Sequence, residues 1–362
     1  MRHRLAAALC ALSVAIVSGC TAQAVPSREP AGHAKPEVPP GATLIEGAGA
    51  TFPSALYEIW FQKYQEAHPK QVISYEAVGS GEGVRRFVGA NVKDEERVDF
   101  GASDAAMRDD EIANVPAGVV LVPVTAGSVA VAYNLPDLQP DLQLSRDALT
   151  GIFLGEIKTW NDPRIARANP GVTLPDLTIV TVVRQEGSGT TFAFTKHLDA
   201  TSDIWRSQYG AATSINWPGN SMRATGNEGV AGRIKHAVGS IGYVGYEFAR
   251  KANLRVARLE NRAGQFIAPT EASSSSALAD VQLPENLRAY VPDPAGADAY
   301  PIVTLTWILL YRHNADAQKG REVHDLFRWC LTDGQQFAAS LGYTPLPPAI
   351  ISQSLAALET VR

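Results

Sequence analysis

The feature that most constrains this chain is a regular alternation of β-like runs and helical runs that begins near Thr43. The runs 72–75 and 179–183 are rich in β-forming residues, whereas Leu56 starts a segment whose apolar residues recur at helical spacing. Parallel strands need a crossover, usually a helix, so the alternation predicts an α/β fold with mainly parallel sheets. The 362 residues suggest two lobes, because domains contain about 150 residues on average.

Local patterns predict individual elements of this fold. The long apolar run 302–311 is expected to be a buried strand, and 118–124 and 128–133 are expected to be two further strands. Ser145 is expected to cap the helix that follows it, because its hydroxyl can accept from an unpaired N–H of the first turn. Four serines make the segment 271–279 polar, and we expect it to be exposed.

The N-terminal sequence has the pattern of a secretory signal. Arg2 and Arg4 precede an apolar stretch, and small residues stand directly before Cys20. This pattern resembles a bacterial lipobox, which predicts a signal peptide over 1–19 and a lipidated Cys20 as the first mature residue. The alternative is an ordinary signal peptide with a chance cysteine. The Pro-rich segment 20–42 is then a tether between the membrane and the folded body.

Composition argues against several classes of protein. A net charge of −5 disfavours a general nucleic-acid binder, because phosphate backbones require a basic face. After residue 20 no apolar run reaches the ~20 residues that span a bilayer. The histidines are scattered, with His197 and His236 expected at the surface or at helix ends, so neither a metal nor another cofactor is expected. Cys330 is expected to have no disulfide partner.

Three strand-to-helix turns share a design that suits anion binding. The turns 51–52, 79–81 and 187–190 each place small or hydroxyl residues where a helix begins. Helix N-termini leave N–H groups unpaired and carry a partial positive charge, and glycine lets the backbone approach a ligand closely. A single turn of this kind is usually a tight turn with a helix cap. Three of them at the carboxyl ends of strands predict an anion site, because open α/β sheets hold ligands there.

Arg184 and Asp104 add charged groups to this predicted site. Arg184 precedes the third turn, where its guanidinium can offer two parallel donors to an oxyanion; the alternatives are a surface arginine or an ion pair with Glu186. Asp104 would repel an anion unless the ligand carries a hydrogen that the carboxylate accepts; the alternative is a helix N-cap over 105–112. Phosphate keeps such a hydrogen near neutral pH and sulfate does not, so Asp104 favours phosphate.

Two of the turns place a serine between glycines, which raises the question of catalysis. Neither Ser80 nor Ser188 fits the Gly-x-Ser-x-Gly pattern of a hydrolase nucleophile. The segment 187–190 also lacks the lysine of a nucleotide-binding loop, so we predict a binding protein and not an enzyme. The Gly- and Asn-rich loop 217–229 is either part of a cleft rim or a plain surface loop.

Several motifs, in this order, resemble those of a known family. They are GAGATFP at 47–53, GSGEGV at 79–84, DFGASD at 99–104, GSGT at 187–190 and IGYV at 241–244. Over about 43–350 the sequence resembles the periplasmic phosphate-binding proteins of the bacterial high-affinity phosphate ABC transporter. The resemblance implies a two-lobed type II periplasmic-binding-protein fold with a ligand cleft between the lobes.

The resemblance also implies which residues hold the anion. They are Thr51, Phe52, Ser80, Asp104, Arg184, Ser188, Gly189 and Thr190. Phe52 would contribute its main-chain N–H. Two departures stand near these positions: the family often has Asp where this chain has Glu186, and a small residue where it has Glu82. We expect Glu186 to orient Arg184 differently, and Glu82 to add a negative charge near the site.

The order of the motifs along the chain predicts the lobes. Lobe I comprises 43–123 and 297–362 and lobe II comprises 124–296, so an anion would bridge both lobes and favour their closed arrangement. The expected partners are inorganic phosphate, an inner-membrane ABC phosphate permease and the membrane that holds the anchor. A monomer on the periplasmic or cell-surface side is expected. The alternatives are a binding protein for sulfate or molybdate, or a phosphate-sensing or adhesive surface lipoprotein.

Overall fold

Strands and helices alternate along the chain in the computed structural model, which describes residues 36–219 and 221–362. This alternation confirms the α/β class that the sequence predicts. The predicted signal peptide over 1–19 and the lipidation residue Cys20 lie outside the described residues. Within the described residues, no helix combines the length and the apolar character that crossing a bilayer requires.

The strands of the described residues form one large and one small sheet. In chain order they are β1 (Thr43–Gly49), β2 (Gln71–Glu76), β3 (Phe100–Ser103), β4 (Val119–Tyr133), β5 (Gln143–Leu144), β6 (Val180–Arg184), β7 (Met222–Ala224), β8 (Ser240–Gly245), β9 (Arg255–Val256), β10 (Arg258–Glu260), β11 (Phe266–Ile267) and β12 (Val303–Tyr311). The run 302–311 is the buried strand β12, as predicted. The two strands predicted over 118–124 and 128–133 are one continuous strand, β4, so that prediction is wrong.

Helices pack around these sheets. The α-helices are α1 (Ser54–Ala67), α2 (Ser80–Val88), α3 (Asp109–Ala113), α4 (Arg146–Phe153), α5 (Pro163–Ala168), α6 (Gly189–Thr201), α7 (Asp203–Gln208), α8 (Gly226–His236), α9 (Tyr246–Lys251), α10 (Glu271–Leu278), α11 (Ala317–Leu331), α12 (Ala338–Leu341) and α13 (Pro348–Leu358). Short 3₁₀ segments cover Asp94–Glu96 and Asp333–Phe337. Ser145 caps α4 as predicted, because its Oγ accepts from the N–H of Ala148 at 3.1 Å.

The large sheet contains two parallel groups of strands. Its strand order is β2-β1-β3-β12-β4-β8-β6-β7, and β9 pairs with β4. β1 runs parallel to β2 and β3, and β6 runs parallel to β7 and β8. Between these groups, β12 runs antiparallel to β3 and β4, and β4 runs antiparallel to β8. The expectation of mainly parallel sheets is therefore wrong at the centre of the sheet. The small sheet has the order β11-β10-β5.

Both parts of the large sheet are built on β4. Residues 119–128 pair with β12, and residues 129–133 pair with β8. This strand of 15 residues is rich in β-branched and small side chains and is buried almost throughout, as expected for a strand that is covered on both faces. The register shifts between Thr306 and Trp307 of β12, opposite Pro123, which has no N–H to donate to the ladder.

Close contact between backbones packs α2 against β1. A Cβ added to Gly83 in α2 would stand 2.3 Å from the Cα of Gly49 and 2.8 Å from the carbonyl oxygen of Ala48. These neighbours are main-chain atoms that cannot rotate away, so only glycine fits at this position. The contact brings the N-terminal end of α2 close to the carboxyl end of β1.

Two predictions of surface exposure are wrong, one of them only in part. The serine-rich segment 271–279 is the helix α10, which exposes Glu271 and Ser275 as expected but buries Ser273 and Ser274, and Ser274 Oγ shares a hydrogen bond with Ser128 Oγ. His197 is also buried, and its Nδ1 lies 2.6 Å from the carbonyl oxygen of Pro292. Burial lowers the pKa of His197 to about 4, so the ring is neutral near pH 7. Hydrogen-bonded hydroxyls and a neutral ring can be buried at modest cost, which the sequence pattern does not reveal.

The variant Gly83→Ala is expected to be less stable than the wild type by about 2–3 kcal/mol, because the added Cβ must push two main-chain segments apart. Urea unfolding followed by tryptophan fluorescence measures this difference. Equal free energies of unfolding for the two proteins would contradict the tight contact between α2 and β1.

Gly232→Ala is the matched control. Gly232 lies in the interior of α8, and a Cβ at this position would meet no heavy atom within 4 Å. Alanine favours a helix over glycine, so this variant is expected to gain up to about 1 kcal/mol in the same measurement.

Candidate anion-binding site

Three turns of the first parallel group end at one edge of the sheet. Thr51 follows β1, Ser80 follows β2 and begins α2, and Asp104 follows β3. Because β1, β2 and β3 run parallel, their carboxyl ends lie at the same edge. All three residues are buried, with exposed fractions of 7%, 2% and 1%.

The second parallel group carries the other predicted residues. Arg184 is the last residue of β6, Ser188 caps α6, and Gly189 and Thr190 begin that helix. Ser188 Oγ accepts a hydrogen bond from the N–H of Thr191 at 3.1 Å, which fixes the start of α6. Arg184, Ser188 and Thr190 are all buried.

Direct contacts join the two groups of turns. Ser80 Oγ accepts hydrogen bonds from the main-chain N–H groups of Gly189 at 3.0 Å and of Asp104 at 3.3 Å. A Cβ on Gly189 would lie 2.5 Å from the Cβ of Asp104, so glycine is required for this approach. The N–H of Gly81 also donates to the carbonyl oxygen of Gly187 at 3.0 Å. Turns that lie far apart in the sequence therefore meet in one buried place.

Glu186 holds Arg184 in this site. Nε of Arg184 donates to Oε1 of Glu186 at 2.7 Å, and Nη2 makes a second contact with the same oxygen. This oxygen also accepts from the N–H of Gly226, the first residue of α8, at 3.0 Å. Nη1 of Arg184 donates to Thr190 Oγ1 at 3.4 Å. Arg184 therefore forms the ion pair with Glu186 and lies in the site at the same time. Because Arg184 is buried, the alternative of a surface arginine is excluded.

Asp104 is a buried carboxyl beside these donors. Its Oδ1 accepts a hydrogen bond from Thr306 Oγ1 at 2.8 Å, and among the described residues its Oδ2 has no hydrogen-bond partner. Burial raises the pKa of Asp104 to about 7, although the Thr306 hydrogen bond and the charge of Arg184 oppose the shift. The N-cap alternative is wrong, because the next helix, α3, begins at Asp109 with Arg108 at its N-cap.

Main-chain N–H groups supply further donors. In the part of the chain that the structure describes, the N–H groups of Phe52, Ser80 and Thr190 have no acceptor within the protein. Each stands at or next to the N-terminal end of a helix, where the helix dipole adds positive potential. Phe52 is buried, and its carbonyl oxygen accepts from the hydroxyl of Tyr343 at 2.7 Å, which holds this main-chain segment in place. Such groups suit a small anion.

Two buried residues of the site escape the sequence analysis. Asn227, the second residue of α8, donates through Nδ2 to Thr51 Oγ1 at 2.9 Å and to Thr190 Oγ1 at 3.2 Å. The segment 217–229, which the sequence analysis treats as a loop, contains β7 and the first turn of α8, and Asn227 is fully buried in that turn. A Gly-Asn pair before a helical run is the signal that points to it. Thr306 lies in the apolar strand β12, whose pattern gives no such signal.

Two arginines of α2 pair with Glu82. Its carboxylate pairs with Arg85 at 2.7 Å and with Arg86 at 2.9 Å. Hydrogen bonding from Arg85, joined by Arg86, lowers the pKa of Glu82 despite its partial burial. In the first turn of α2 the carboxylate also interacts favourably with the helix dipole. Because Arg85 and Arg86 also pair with Glu96 and Glu76, α2 compensates only part of the negative charge in this region.

The hydroxyl oxygens of Ser80 and Ser188 act as hydrogen-bond acceptors for main-chain N–H groups. Ser80 Oγ accepts two N–H groups and Ser188 Oγ accepts one, and no described histidine hydrogen-bonds to either hydroxyl. Across 36–219 and 221–362, no three His, Cys, Asp or Glu residues are grouped so that they could hold a metal ion. A dense set of donors, one paired guanidinium and one carboxyl fit a small oxyanion.

The chain is similar to curated phosphate-binding proteins over most of its length. Residues 34–328 match a PBP superfamily domain. The phosphate-binding protein PstS of Pasteurella multocida is 35% identical over 322 residues, which cover 88% of this chain and 91% of that protein. The phosphate-binding protein PstS of Xylella fastidiosa is 36% identical over 312 residues, which cover 85% of this chain and 83% of that protein.

A solved structure supports the fold. A high-affinity periplasmic phosphate-binding protein (PfluDING) that is bound with phosphate superposes with a TM-score of 0.72 at 25% identity, covering 87% of this chain and 93% of that chain. The two-lobed periplasmic-binding-protein fold that the resemblance implies is thereby confirmed.

The wild type is expected to become less stable as the pH rises, because the buried Asp104 becomes charged. The variant Asp104→Asn is expected not to show this loss. Because the folded-state pKa of Asp104 is raised to about 7, its neutral form stabilises the fold at low pH, and this contribution is lost between about pH 4 and pH 7. The free energy of unfolding of the variant minus that of the wild type should therefore increase by about 2–3 kcal/mol from pH 5 to pH 8.

Urea unfolding of both proteins at several pH values, in buffers without multivalent anions, measures this difference. Glu247, whose pKa is raised mainly by burial, is present in both proteins, so the burial effect cancels and only the smaller effect of the Asp104 charge on Glu247 differs. A difference that does not change with pH would show that Asp104 titrates as an ordinary aspartate.

Proposed function

The chain belongs to the family of PstS phosphate-binding proteins within the PBP superfamily, and we propose that it binds inorganic phosphate outside the cytoplasm and delivers it to an ABC permease for import, without catalysing a reaction. Its curated relatives are named phosphate-binding proteins, and a structural neighbour is bound with phosphate. The buried donors of the site support the same function on physical grounds, because they come from distant turns and suit one small oxyanion.

The observation that carries this proposal is a site with many hydrogen-bond donors and little net charge. Arg184 is paired with Glu186, so dipoles of N–H and O–H groups at helix N-termini must hold most of the anion's charge. An acidic protein can bind an anion in this way. The residues that we propose as phosphate ligands are Thr51, Phe52, Ser80, Asp104, Arg184, Ser188, Gly189 and Thr190.

Asp104 gives the site a preference for phosphate over sulfate. Phosphate near neutral pH keeps at least one P–OH group, which can donate to Oδ2 of Asp104 and so stabilise the charged carboxylate. That contact would lower the pKa of Asp104 from the raised value that burial gives it. Sulfate has no hydrogen to donate, so above the Asp104 pKa of about 7 the buried carboxylate would repel it. Sulfate and molybdate are therefore the less favoured ligands.

Phosphate binding is coupled to closure of two lobes. The proposed lobes are 43–123 with 297–362, and 124–296. The pairing of β4 changes from β12 to β8 between Ser128 and Val129, close to the first boundary. Each lobe contributes one set of donors, and only the closed arrangement brings both sets to one anion, so binding favours that arrangement. The closed form would be the one that docks on the permease.

The N-terminal sequence supports a location at a membrane surface. A signal peptide over 1–19 would direct export, and acyl chains on Cys20 would anchor the protein without a membrane-spanning helix. The segment 20–42 would tether the folded body, which we propose acts as a monomer.

The variant Arg184→Ala is expected to weaken phosphate binding at least about 100-fold, which corresponds to roughly 3 kcal/mol. The change removes a charge-assisted donor pair and leaves Glu186 facing the anion without its partner. Isothermal titration calorimetry with inorganic phosphate measures the dissociation constant.

Arg206→Ala is the matched control, because Arg206 is about half exposed on α7 and pairs with Asp203. Its variant should bind phosphate as the wild type does. Wild-type affinity in the Arg184→Ala variant would rule out the role proposed for this guanidinium.

The variant Asp104→Asn is expected to reduce the preference for phosphate over sulfate by at least about 100-fold. The amide can donate a hydrogen bond to a sulfate oxygen at any pH, whereas the ionised carboxylate, which predominates above pH 7, can only accept. Competition between labelled phosphate and unlabelled sulfate measures the ratio of the two affinities.

Asp99→Asn is the matched control, because Asp99 lies just before β3 and pairs with Lys319 at 3.0 Å, away from the site. Its variant should keep the wild-type preference. If sulfate still fails to compete in the Asp104→Asn variant, recognition of the ligand's hydrogen by Asp104 is disproved.

A further inference from the structure

Asn227 connects the two sets of donors, and we infer that it is a positioning residue that points two hydroxyl hydrogens at the bound phosphate and latches the closed lobes. This inference rests on the proposed function. Asn227 is fully buried at the second position of α8, in the turn that follows β7. This turn is the fourth strand-to-helix turn at the edge where the three predicted turns meet.

The orientation of the Asn227 amide follows from its partners. The main-chain N–H of Gly245, at the end of β8, donates to Oδ1 of Asn227 at 2.9 Å. An N–H can only donate, so the atom that faces it must be the amide oxygen. The amide nitrogen therefore faces the hydroxyl groups of Thr51 and Thr190, and each of its two hydrogens has one hydroxyl oxygen as acceptor.

The hydrogen-bond partners of the two threonine hydroxyls show where their hydrogens can point. Thr51 Oγ1 accepts from Nδ2 of Asn227 at 2.9 Å and from its main-chain N–H at 3.3 Å. Thr190 Oγ1 accepts from the same Nδ2 at 3.2 Å and from Nη1 of Arg184 at 3.4 Å. A hydroxyl oxygen has two lone pairs and one hydrogen, so both acceptor positions of each oxygen are occupied. Among the described residues neither hydroxyl donates to the protein, and both hydrogens are available to phosphate.

Asn227 also links parts of the chain that belong to different proposed lobes. Thr51 follows β1 in lobe I, whereas Asn227 and Thr190 begin helices of lobe II. A Cβ on Gly226 would stand 3.5 Å from Cγ2 of Thr51, so the turn before Asn227 packs against the same threonine. Separation of the lobes must break these contacts. The contacts would therefore slow the release of phosphate without slowing its association.

The variants Asn227→Ala and Asn227→Asp test this role. Loss of the latch in Asn227→Ala should make phosphate release about 10-fold faster at an unchanged association rate. In Asn227→Asp the carboxylate accepts the hydroxyl hydrogens and turns them away from the ligand, so the dissociation constant should rise at least about 100-fold. Stopped-flow fluorescence and calorimetry with inorganic phosphate measure these quantities.

A double-mutant cycle with Thr51→Val separates positioning from a general effect on the fold. If Asn227 acts through the Thr51 hydroxyl, Asn227→Asp should weaken binding less in the Thr51→Val background than in the wild type. Additive losses would overturn the inference. Should the Asn227→Asp protein fail to fold, the release rate and the cycle are measured with Asn227→Ala, and an unchanged release rate overturns the inference.

The control is Asn134→Asp, because the Asn134 amide donates to the carbonyl oxygen of Ile234 at 2.8 Å and lies outside the site. Its phosphate affinity should stay within about twofold of the wild type.

If folded wild-type protein does not bind phosphate, the proposed function fails. If the wild type binds, Arg184→Ala weakens binding and both Asn227 variants bind and release phosphate as the wild type does, only the inference about Asn227 fails.

Discussion

The antiparallel pairing of β4 with β12 and β8 is the constraint on which the site depends. β1, β2 and β3 run in the direction of β4, whereas β6, β7 and β8 run against it, as the pairings along the sheet require. The carboxyl ends of the two parallel groups therefore point toward each other along β4. Ser103, at the end of β3, lies level with Pro123, and Gly245, at the end of β8, pairs with Val129. The two sets of turns meet over the short segment between these positions.

The electrostatics of the site follow from its burial. A buried cation without a partner would be costly, and Arg184 is accordingly paired with Glu186, whose carboxylate also accepts from the first N–H of α8. Burial raises the pKa of Asp104 to about 7, so its neutral form is favoured and the free-energy cost of burying a charged carboxylate is reduced. Attraction for an anion then comes mainly from N–H and O–H dipoles, which act at short range and depend on geometry. Such a site distinguishes ligands by their hydrogens as well as by their charge.

Much of the fold could be predicted because strands, helices and caps are encoded locally. The helical period from Leu56, the apolar run of β12 and the cap at Ser145 all appear in the structure. The continuity of β4 and the burial of Ser273 and Ser274 in α10 could not be predicted, because both depend on partners far away in the sequence. Residues between two predicted strands continue as β4 since β12 pairs with them, and serines become buried where another hydroxyl meets them.

The sequence by itself determined the chemistry of the site: hydroxyls, glycines, one guanidinium and one carboxyl, placed where strands give way to helices. Only the tertiary structure decided how these groups are used. It sets the raised pKa of Asp104 through burial against β12, gives Glu186 both Arg184 and α8 as partners, and places Asn227 between two threonines. The physical reason is that burial and hydrogen-bond partners are properties of several distant segments at once, and a local pattern describes only one of them.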